Sequence, residues 1–507
     1  MAHPKVTLIS PYMLVTSYNV RLISASLRTA GYHTTKIFLP NLYPYSTIPA
    51  YDFSYQYEEE LADEIAALAR GSLWIGVSTN TNLFLRTSAL VRELKKRISI
   101  PIVYGGIHAS IKPEECLGAA DYVVMGEGED TAVELSRALE DDVRLERVPG
   151  VGKMVDGSAV YTIRSQEQQT AFGSLPWADY SLDDEWVQIK EARGLARMDV
   201  NLFSTYSSVM PMGWNNRGPL YFSGASRGCP HRCSYCVHSF LARKFPEYRQ
   251  MRIRAVGDFV AELEHARKTI PTLKGVACTD EDFLALDIGW LREFSTEYGK
   301  RVHLPMRIMG SVDSITEEKV DLLTQAGMAF LEVGVQGIGT GVTSRYQRHW
   351  SNKDLFKEKA DILHNYRSKL ELQYDVIMDN PEESLEEQQK TIQLLLDIKR
   401  PYKVQTFTLN YYPGSALYEE ALARGLIKDV VKQIYLKNIS SPQASYPLFI
   451  YRLFWLNIPS MLIRMLAALP LLRLFDTEGF RRLAAGIRQA WHRFRDSDSF
   501  PAYRLND

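Results

Sequence analysis

The chain has 507 residues, 46% of them hydrophobic, which is long enough for two or three domains with sizeable cores and too apolar for a disordered protein. Its 59 Lys and Arg nearly balance 60 Asp and Glu, so there is no overall field to recruit nucleic acid, and no nucleic-acid partner is expected. The start, Met1-Ala2-His3-Pro4-Lys5, runs straight into an apolar segment without the charged region, long apolar run and small-residue site of a secretory signal, which points to the cytoplasm.

Residues 5–10 are a short apolar run ending at Pro11, and a helical pattern with Leu22, Ile23, Ala25 and Leu27 follows up to Gly31, a residue suited to a helix C-terminus. A strand is expected at 35–39. After a Tyr- and Pro-rich loop come a helix at 58–70, a strand at 73–78, a helix at 87–97, and strands at 101–106 and 120–125. Strands alternating with helices imply a doubly wound, Rossmann-like parallel sheet of the α/β class. Ligands of such sheets sit beyond the carboxyl ends of the strands, so the loops opening at Pro11, Ser78, Gly105 and Gly126 should converge on one crevice. Gly105-Gly106-Ile107-His108-Ala109 and Gly126-Glu127-Gly128-Glu129 place glycines at strand ends. There a flat or phosphate-bearing ligand can approach the backbone closely, although glycines also serve tight turns.

Residues 146–218 are mixed in character and read as a linker, with a Gly- and Pro-rich stretch at 211–219 that either lines a substrate opening or is a plain surface loop. From 219 the strand–helix rhythm resumes. Strands are expected at 221–223, 275–278, 302–308, 329–335, 370–378 and 404–409, with helices at 256–268, 288–298, 317–326, 353–366 and 385–398 between them. Residues 426–507 form a C-terminal helical region. Between 444 and 474 it is rich in Leu, Ile, Phe, Trp and Met, interrupted by Arg452, Arg464 and Arg473. The longest charge-free stretch from Arg452 onward is eleven residues, too short to span a bilayer. The pattern suits a helix lying in a membrane interface and equally one packed over the barrel mouth with its arginines outside, the latter being preferred.

Three of the five cysteines, Cys229, Cys233 and Cys236, fall in eight residues at the spacing C-x-x-x-C-x-x-C. Thiols this crowded point to a soft metal centre rather than to disulfides, and a zinc site would want paired C-x-x-C units with a fourth ligand. An iron-sulfur cluster held by three cysteines leaves one iron open to a substrate or cofactor. Cys116 and Cys278 stand alone and read as small buried hydrophobes.

The run Gly228-Cys229-Pro230-His231-Arg232-Cys233-Ser234-Tyr235-Cys236 resembles the cluster loop of the radical S-adenosylmethionine (SAM) enzymes. The resemblance implies a 4Fe-4S cluster on Cys229, Cys233 and Cys236, SAM on its open iron, and Tyr235 near the adenine. It also implies that residues 219–425 form the family's partial (β/α)6 barrel, in which functional groups lie on loops after the strands. Asp280 and Glu281 match an acidic pair near the methionine end of SAM, or else line a helix N-terminus. Glu332 and Gln336 match the E-x-G-x-Q string, Gln336 facing the ribose or amino acid part. Asn380, before Pro381, matches a turn near the adenine, or is a turn residue without a ligand. Tyr411-Tyr412-Pro413-Gly414-Ser415 with Leu417-Tyr418 resembles the string closing the domain in the cobalamin-associated branch.

Within residues 1–145 the G-G-x-H-A and G-E-G-E strings resemble the cobalamin-binding domain fused in front of many radical SAM enzymes. This implies cobalamin contacts from Ser78, Gly105, Gly106, His108, Gly126, Glu127 and Gly128. The D-x-H-x-x-G motif that gives cobalt a histidine is absent, so the lower face should lack a histidine ligand, and His108 is not assigned to the metal. The alternative is a domain that has kept the fold and lost the cofactor. The resemblance covers residues 1–425 and implies a cobalamin-dependent methyltransferase acting on an unactivated carbon. Its rivals are cyclisation or carbon-carbon coupling on a lipid or tetrapyrrole-like substrate, and a cobalamin or redox-sensing binding protein. The partners implied are a small-molecule or lipid-like substrate, an electron donor such as flavodoxin or ferredoxin, and a membrane surface if the C-terminal region lies on one.

Overall fold

The computed structural model describes residues 3–40, 57–189, 194–207, 218–440, 442–456, 458–484 and 486; the loop at 41–56 and the stretch 208–217 lie outside them. The chain divides into a unit made of Met1–Leu331 with Asn410–Asn438 and a second made of Glu332–Leu409 with Ile439–Asp507.

In the first unit, β1 (Lys5–Ser10), β2 (His33–Phe38), β3 (Ser72–Ser78), β4 (Ile102–Gly105) and β5 (Tyr122–Val124) form a parallel core. Every residue of β1 after Lys5 is buried. Strands covered on both faces read as continuous apolar runs, which is why this part of the chain is legible. Helices Tyr18–Thr29, Phe84–Lys95 and Glu129–Glu140 connect and cover them, and Trp74 Nε1 ties the sheet to a helix by donating to Ser136 Oγ at 2.9 Å. Antiparallel pairs extend both edges: β6 (Val151–Val155) with β7 (Ser158–Tyr161), and β8 (Glu185–Gln188) with β9 (Leu195–Arg197). The order is β7-β6-β5-β4-β3-β1-β2-β8-β9, so the direction of winding changes between β1 and β3 and the loops after those strands flank the switch point.

The stretch expected as a linker thus supplies four strands of this sheet. At the β8–β9 edge the reason is a buried charge network that local sequence does not announce. Arg21 carries a bidentate pair with Glu185 (2.6 and 3.0 Å), donates to the carbonyls of Val15 and Asp179, and lies over the ring of Tyr180 at 4.3 Å. Lys36 Nζ sits 2.6 Å from Asp179 and 3.3 Å from Glu185, and both Arg21 and Glu185 are fully buried. Burial opposes ionisation of Asp179, yet Lys36 and the hydroxyls of Ser181 and Ser24 hold its carboxyl well below the usual range.

The same unit contains β10 (Leu220–Ser223), the two-residue hairpin strands β11 (Ser226–Arg227) and β12 (Arg252–Ile253), β13 (Gly275–Cys278) and β14 (Met306–Gly310). β10 pairs with β13, and β13 with β14, all in parallel. β14 starts four residues later than expected, because Val302 still caps the preceding helix Ile288–Arg301 and Pro305 precedes the first ladder residue. Phe259, Trp290 and Phe294 stack outside these strands, with Phe283 edge-on to Phe294 at 5.5 Å. Residues 410–438 return to the Rossmann-like sheet: Asn82 Nδ2 donates to the carbonyls of Ile434, Tyr435 and Lys437 (2.9, 3.1 and 3.2 Å), around a π-helical turn Val431–Tyr435.

β15 (Met328–Gln336) leads into the second unit, where β16 (Glu371–Met378) pairs in parallel with β17 (Lys403–Thr408). Helices Lys353–Asn365 and Leu385–Asp397 alternate with these strands, the latter opened by a Ser384/Glu387 capping box. The tail folds as short helices Tyr446–Trp455, Ser460–Leu466 and Leu469–Phe475. They pack on helix Leu385–Asp397 and β17: Gln389 Nε2 donates to the Ala467 carbonyl at 3.1 Å, and Trp455 Nε1 bonds the Val404 carbonyl. Arg464 and Arg473 face outward onto Asp397 and Glu386, so the tail is packed with its arginines outside as expected, but on an outer helix and the start of β17 and not over the barrel mouth. No helix among the described residues is long and apolar enough to cross a membrane.

Candidate functional site

The cysteine loop opens at Gly228, whose φ of +98° and approach to the Gln250 carbonyl oxygen, 2.9 Å from where a Cβ would lie, leave room for no side chain. Arg232 braces the loop from within, its Nη1 donating to the carbonyl of Cys229 at 2.6 Å and its Nη2 to that of Arg249 at 2.7 Å. Cys236 stands at the N-cap of helix Val237–Lys244, and its N–H bonds the Cys233 carbonyl at 3.0 Å. The Leu417 N–H donates to the Ser234 carbonyl at 3.0 Å, bringing the string around Gly414 against the loop next to Tyr235. Burial pushes the thiols of Cys229 and Cys236 up to about 12, so without a metal they are neutral and ligation must displace their protons. None of the five cysteines forms a disulfide. Among the described residues no three His, Cys, Asp or Glu side chains converge on a single ion position. A cluster in which each cysteine takes a different iron needs no such convergence, so this donor set fits an iron-sulfur cluster with one open iron.

The strand ends beside the loop supply acids. Asp280, 1% exposed, accepts from the N–H groups of Ala225 and Ser226 (3.1 and 2.6 Å) and from Ser226 Oγ (2.6 Å). Burial raises its carboxyl to about 6 despite those donors. Its two oxygens therefore clamp the chain where it enters the cysteine hairpin. Glu281 instead holds His238 Nε2 at 2.8 Å, two residues beyond Cys236. Burial works against the imidazolium of His238, but the Glu281 carboxylate prevails and raises it. On the opposite flank His231 Nε2 lies 2.8 Å from Ser311 Oγ, with Asp282 and Asp313 at 3.5 and 3.6 Å. The sequence reading passed over both histidines; the signal was their place inside and just after the cysteine run.

The two glycine loops of the Rossmann-like sheet differ. Gly106 has φ +93°, and a Cβ there would stand 2.6 Å from the Thr79 carbonyl oxygen, so the loops after β3 and β4 touch through backbone. Among the described residues nothing lies within 4 Å of a Cβ at Gly105, which leaves that side of the strand end open to a large flat ligand. Ser78 Oγ lies 3.4 Å from the hydroxyl of Tyr12, across the switch point between β1 and β3. His108 is fully buried: Nδ1 is 3.2 Å from Thr81 Oγ1, Nε2 is 3.6 Å from Glu115, and the ring packs on Phe84 and Tyr435. The Gly126-Glu127-Gly128 loop is instead drawn into contact with the cysteine hairpin. Phe245 and Glu247 crowd Gly126, Glu127 pairs with Arg227 (2.8 Å) and Arg252, and Arg227 also pairs with Glu129. Gly128 caps helix Glu129–Glu140.

In the second unit Glu332 is buried within β15, and Gln336 ends that strand with φ +62°, its amide folded back over Gly334. Asn380 follows β16; its Nδ2 donates to the Tyr346 hydroxyl at 3.2 Å, and its Oδ1 accepts from the Glu382 N–H at 3.1 Å, an Asx turn. Glu383, not anticipated, has its carboxyl raised to about 8 by burial and by the like charge of Glu387.

Comparison with known proteins matches residues 4–136 to the B12 binding domain and residues 225–395 to the Radical SAM superfamily. The chain is 24% identical over 362 residues to the bacteriochlorophyllide d C-8(2)-methyltransferase of Chlorobaculum tepidum, covering 70% of this chain and 69% of that protein. It is 28% identical over 183 residues to the anaerobic magnesium-protoporphyrin IX monomethyl ester cyclase of Synechocystis sp., a match covering 35% of this chain and spanning only 32% of the cyclase. Among solved structures, the radical SAM methyltransferase TsrM of Kitasatospora setae superposes with a TM-score of 0.63 at 17% identity, covering 83% of this chain and 76% of TsrM. The cobalamin-dependent radical SAM enzyme OxsB gives 0.56 at 16% identity, covering 85% of this chain and 58% of OxsB. At these identities the two structures speak to the fold, a B12-binding domain followed by a radical SAM domain.

Proposed function

Since the chain belongs to the radical SAM enzymes that carry an N-terminal B12-binding domain, we propose that it is a cobalamin-dependent methyltransferase acting on an unactivated carbon. The observation that carries the reading is the three-cysteine loop with its open-iron donor set in the same unit as the open strand end at Gly105. In this reading Cys229, Cys233 and Cys236 hold a 4Fe-4S cluster, Tyr235 flanks the adenine of SAM, and Gln336 and Asn380 line its nucleoside. Glu281 faces the methionine ammonium. Asp280, engaged with the Ala225 and Ser226 amides, acts on SAM only by fixing the hairpin. Glu332 supports the strand below Gln336.

Ser78, Gly105 and Gly106 take the corrin. Gly126 and Gly128 shape the neighbouring loop, while His108 and Glu127, committed to Glu115 and to the arginines, position it. When bound, the cluster supplies an electron that cleaves SAM to methionine and a hydrogen-abstracting 5′-deoxyadenosyl radical, and cobalamin supplies the methyl group. The protein's part is to hold these groups in register and exclude water. An electron donor such as flavodoxin or ferredoxin and a small-molecule or lipid-like substrate complete the reading, with peripheral membrane contact through the C-terminal region.

A second reading is favoured by the similarity to the magnesium-protoporphyrin cyclase: ring closure or carbon-carbon coupling on a tetrapyrrole-like substrate. One experiment separates them. Protein purified without oxygen from cells given hydroxocobalamin is assayed for iron, sulfide and cobalt, then reduced with SAM. About four irons and one cobalt per chain, 5′-deoxyadenosine, and label passing from methyl-labelled SAM into cobalamin support methyl transfer. Iron and 5′-deoxyadenosine without cobalt would reject it in favour of cyclisation or coupling.

A further inference from the structure

Positive charge collects around the cysteine loop although the chain as a whole is almost neutral. Residues 228–252 hold five cations, Arg232, Arg243, Lys244, Arg249 and Arg252, against one acid, Glu247. Glu247 is buried and Arg252 is committed to Glu127, so neither shapes the outer surface. The other four meet no carboxylate among the described residues. Arg232 donates to the carbonyls of Cys229, His231 and Arg249, Arg243 Nη2 to that of Gly414 at 2.9 Å, and Lys244 Nζ to that of Ser110 at 3.2 Å. Arg243 and Arg249 are exposed. A carbonyl leaves a guanidinium its full charge, so these two present an uncompensated positive field to water.

The two arginines are tied to the loop from different sides. Arg249 is held through its carbonyl by Arg232, which lies inside the loop, at 2.7 Å. Arg243 is anchored on Gly414, in the string whose Leu417 N–H bonds the Ser234 carbonyl between the second and third cysteines. Pro230, within the loop, is itself exposed, so the loop reaches the surface. A cluster seated there takes its electron from outside the chain, and a carrier that delivers it has to approach this loop. Redox encounters bury little surface and are steered by charge, which suits a patch of a few unpaired cations. A lipid surface fits less well, because no large apolar side chain is exposed among the described residues of 228–252.

We infer that the face carrying Arg243 and Arg249 docks an acidic, low-potential one-electron carrier protein. The inference rests on the cluster assigned in the proposed function and names where its electron enters. One electron leaves the reduced carrier and one is gained by the oxidised cluster, with no bond made or broken on this chain.

The test is rapid mixing of the full-length holoprotein, without oxygen and with its iron counted, with flavodoxin hydroquinone, followed by the electron paramagnetic resonance of the reduced cluster. At low salt Arg249→Glu should be reduced about tenfold more slowly than the wild type, and Arg243→Glu/Arg249→Glu more slowly still. The wild-type rate should fall towards theirs as salt is raised. With reduced methyl viologen, a small cation, neither variant should be slower than the wild type, and iron per chain should be unchanged. The inference is overturned if flavodoxin reduces the variants as fast as the wild type. It is also overturned if methyl viologen reduction slows in step, which would assign the arginines to the surroundings of the cluster. A wild type that holds no iron would instead reject the proposed function, and the docking face with it.

Discussion

Replacing Glu127 by alanine separates two uses of one carboxylate. If Glu127 serves the corrin, its loss should lower cobalt content and leave the hairpin around the cysteines intact. The structure argues for a brace. Glu127 lies 2.8 Å from Arg227 and 3.1 Å from Arg252, with its side chain 9% exposed and the two arginines 16% and 17%. Removing it leaves two largely buried guanidiniums, of which Arg227 keeps a carboxylate in Glu129 and Arg252 keeps the neutral Gln169 amide at 3.4 Å. Breaking a buried pair costs about 3–5 kcal/mol, and the remaining Glu129 places the loss near the lower end, about 3 kcal/mol. That corresponds to about a hundredfold more frequent opening of the β11–β12 hairpin. Hydrogen exchange at the amides of Ser226, Arg227, Arg252 and Ile253 should accelerate by about that factor, and iron retained per chain should fall with it. Unchanged exchange and iron with a loss of cobalt alone would refute the brace and return Glu127 to the cofactor.

Other expectations concern the rest of the framework. Because burial raises the Asp280 carboxyl to about 6, its contribution to stability is full below about pH 4 and is lost as pH rises to about 6. In denaturant titrations Asp280→Asn should abolish that fall, of about 3 kcal/mol, although the variant is less stable overall. Glu185→Ala strands the fully buried Arg21 and should cost about 3–5 kcal/mol in unfolding of the first unit, much of it recovered by pairing Arg21→Met with Glu185→Leu. Cys229→Ala should abolish iron binding and SAM cleavage together, whereas Cys116→Ala, at a buried position away from the loop, should leave cleavage intact; equal loss in both would overturn the assignment of the thiols.

What could be read in advance followed from local pattern. The strands of the two parallel cores are apolar runs between helical repeats, and the cysteine spacing carries its chemistry within eight residues. β7, β8 and β9 were invisible because three- and four-residue edge strands have no pattern of their own. The placement of β8, and through it of β9, depends on Arg21 and Lys36, some 150 residues away, meeting Asp179 and Glu185. The site divides along the same line. Asp280 and Glu127 looked like ligands of cofactors because acids at strand ends usually face a crevice. Their partners, two backbone amides for one and two arginines for the other, belong to segments with no sequence relation to them. Glu281 and His238 show the converse: adjacent in space through a single 2.8 Å contact, they became a pair only when β13 ended beside the cysteine helix.

The bonds from Asn82 to the carbonyls of Ile434, Tyr435 and Lys437 link positions 352 or more residues apart. A ribosome adding about 5–20 residues per second makes Asn82 tens of seconds before Tyr435. For that interval the loop after β3 has its strand but not its cover, so the nascent first domain presents an unfinished crevice. A chain cut short after the barrel would keep the crevice permanently uncovered.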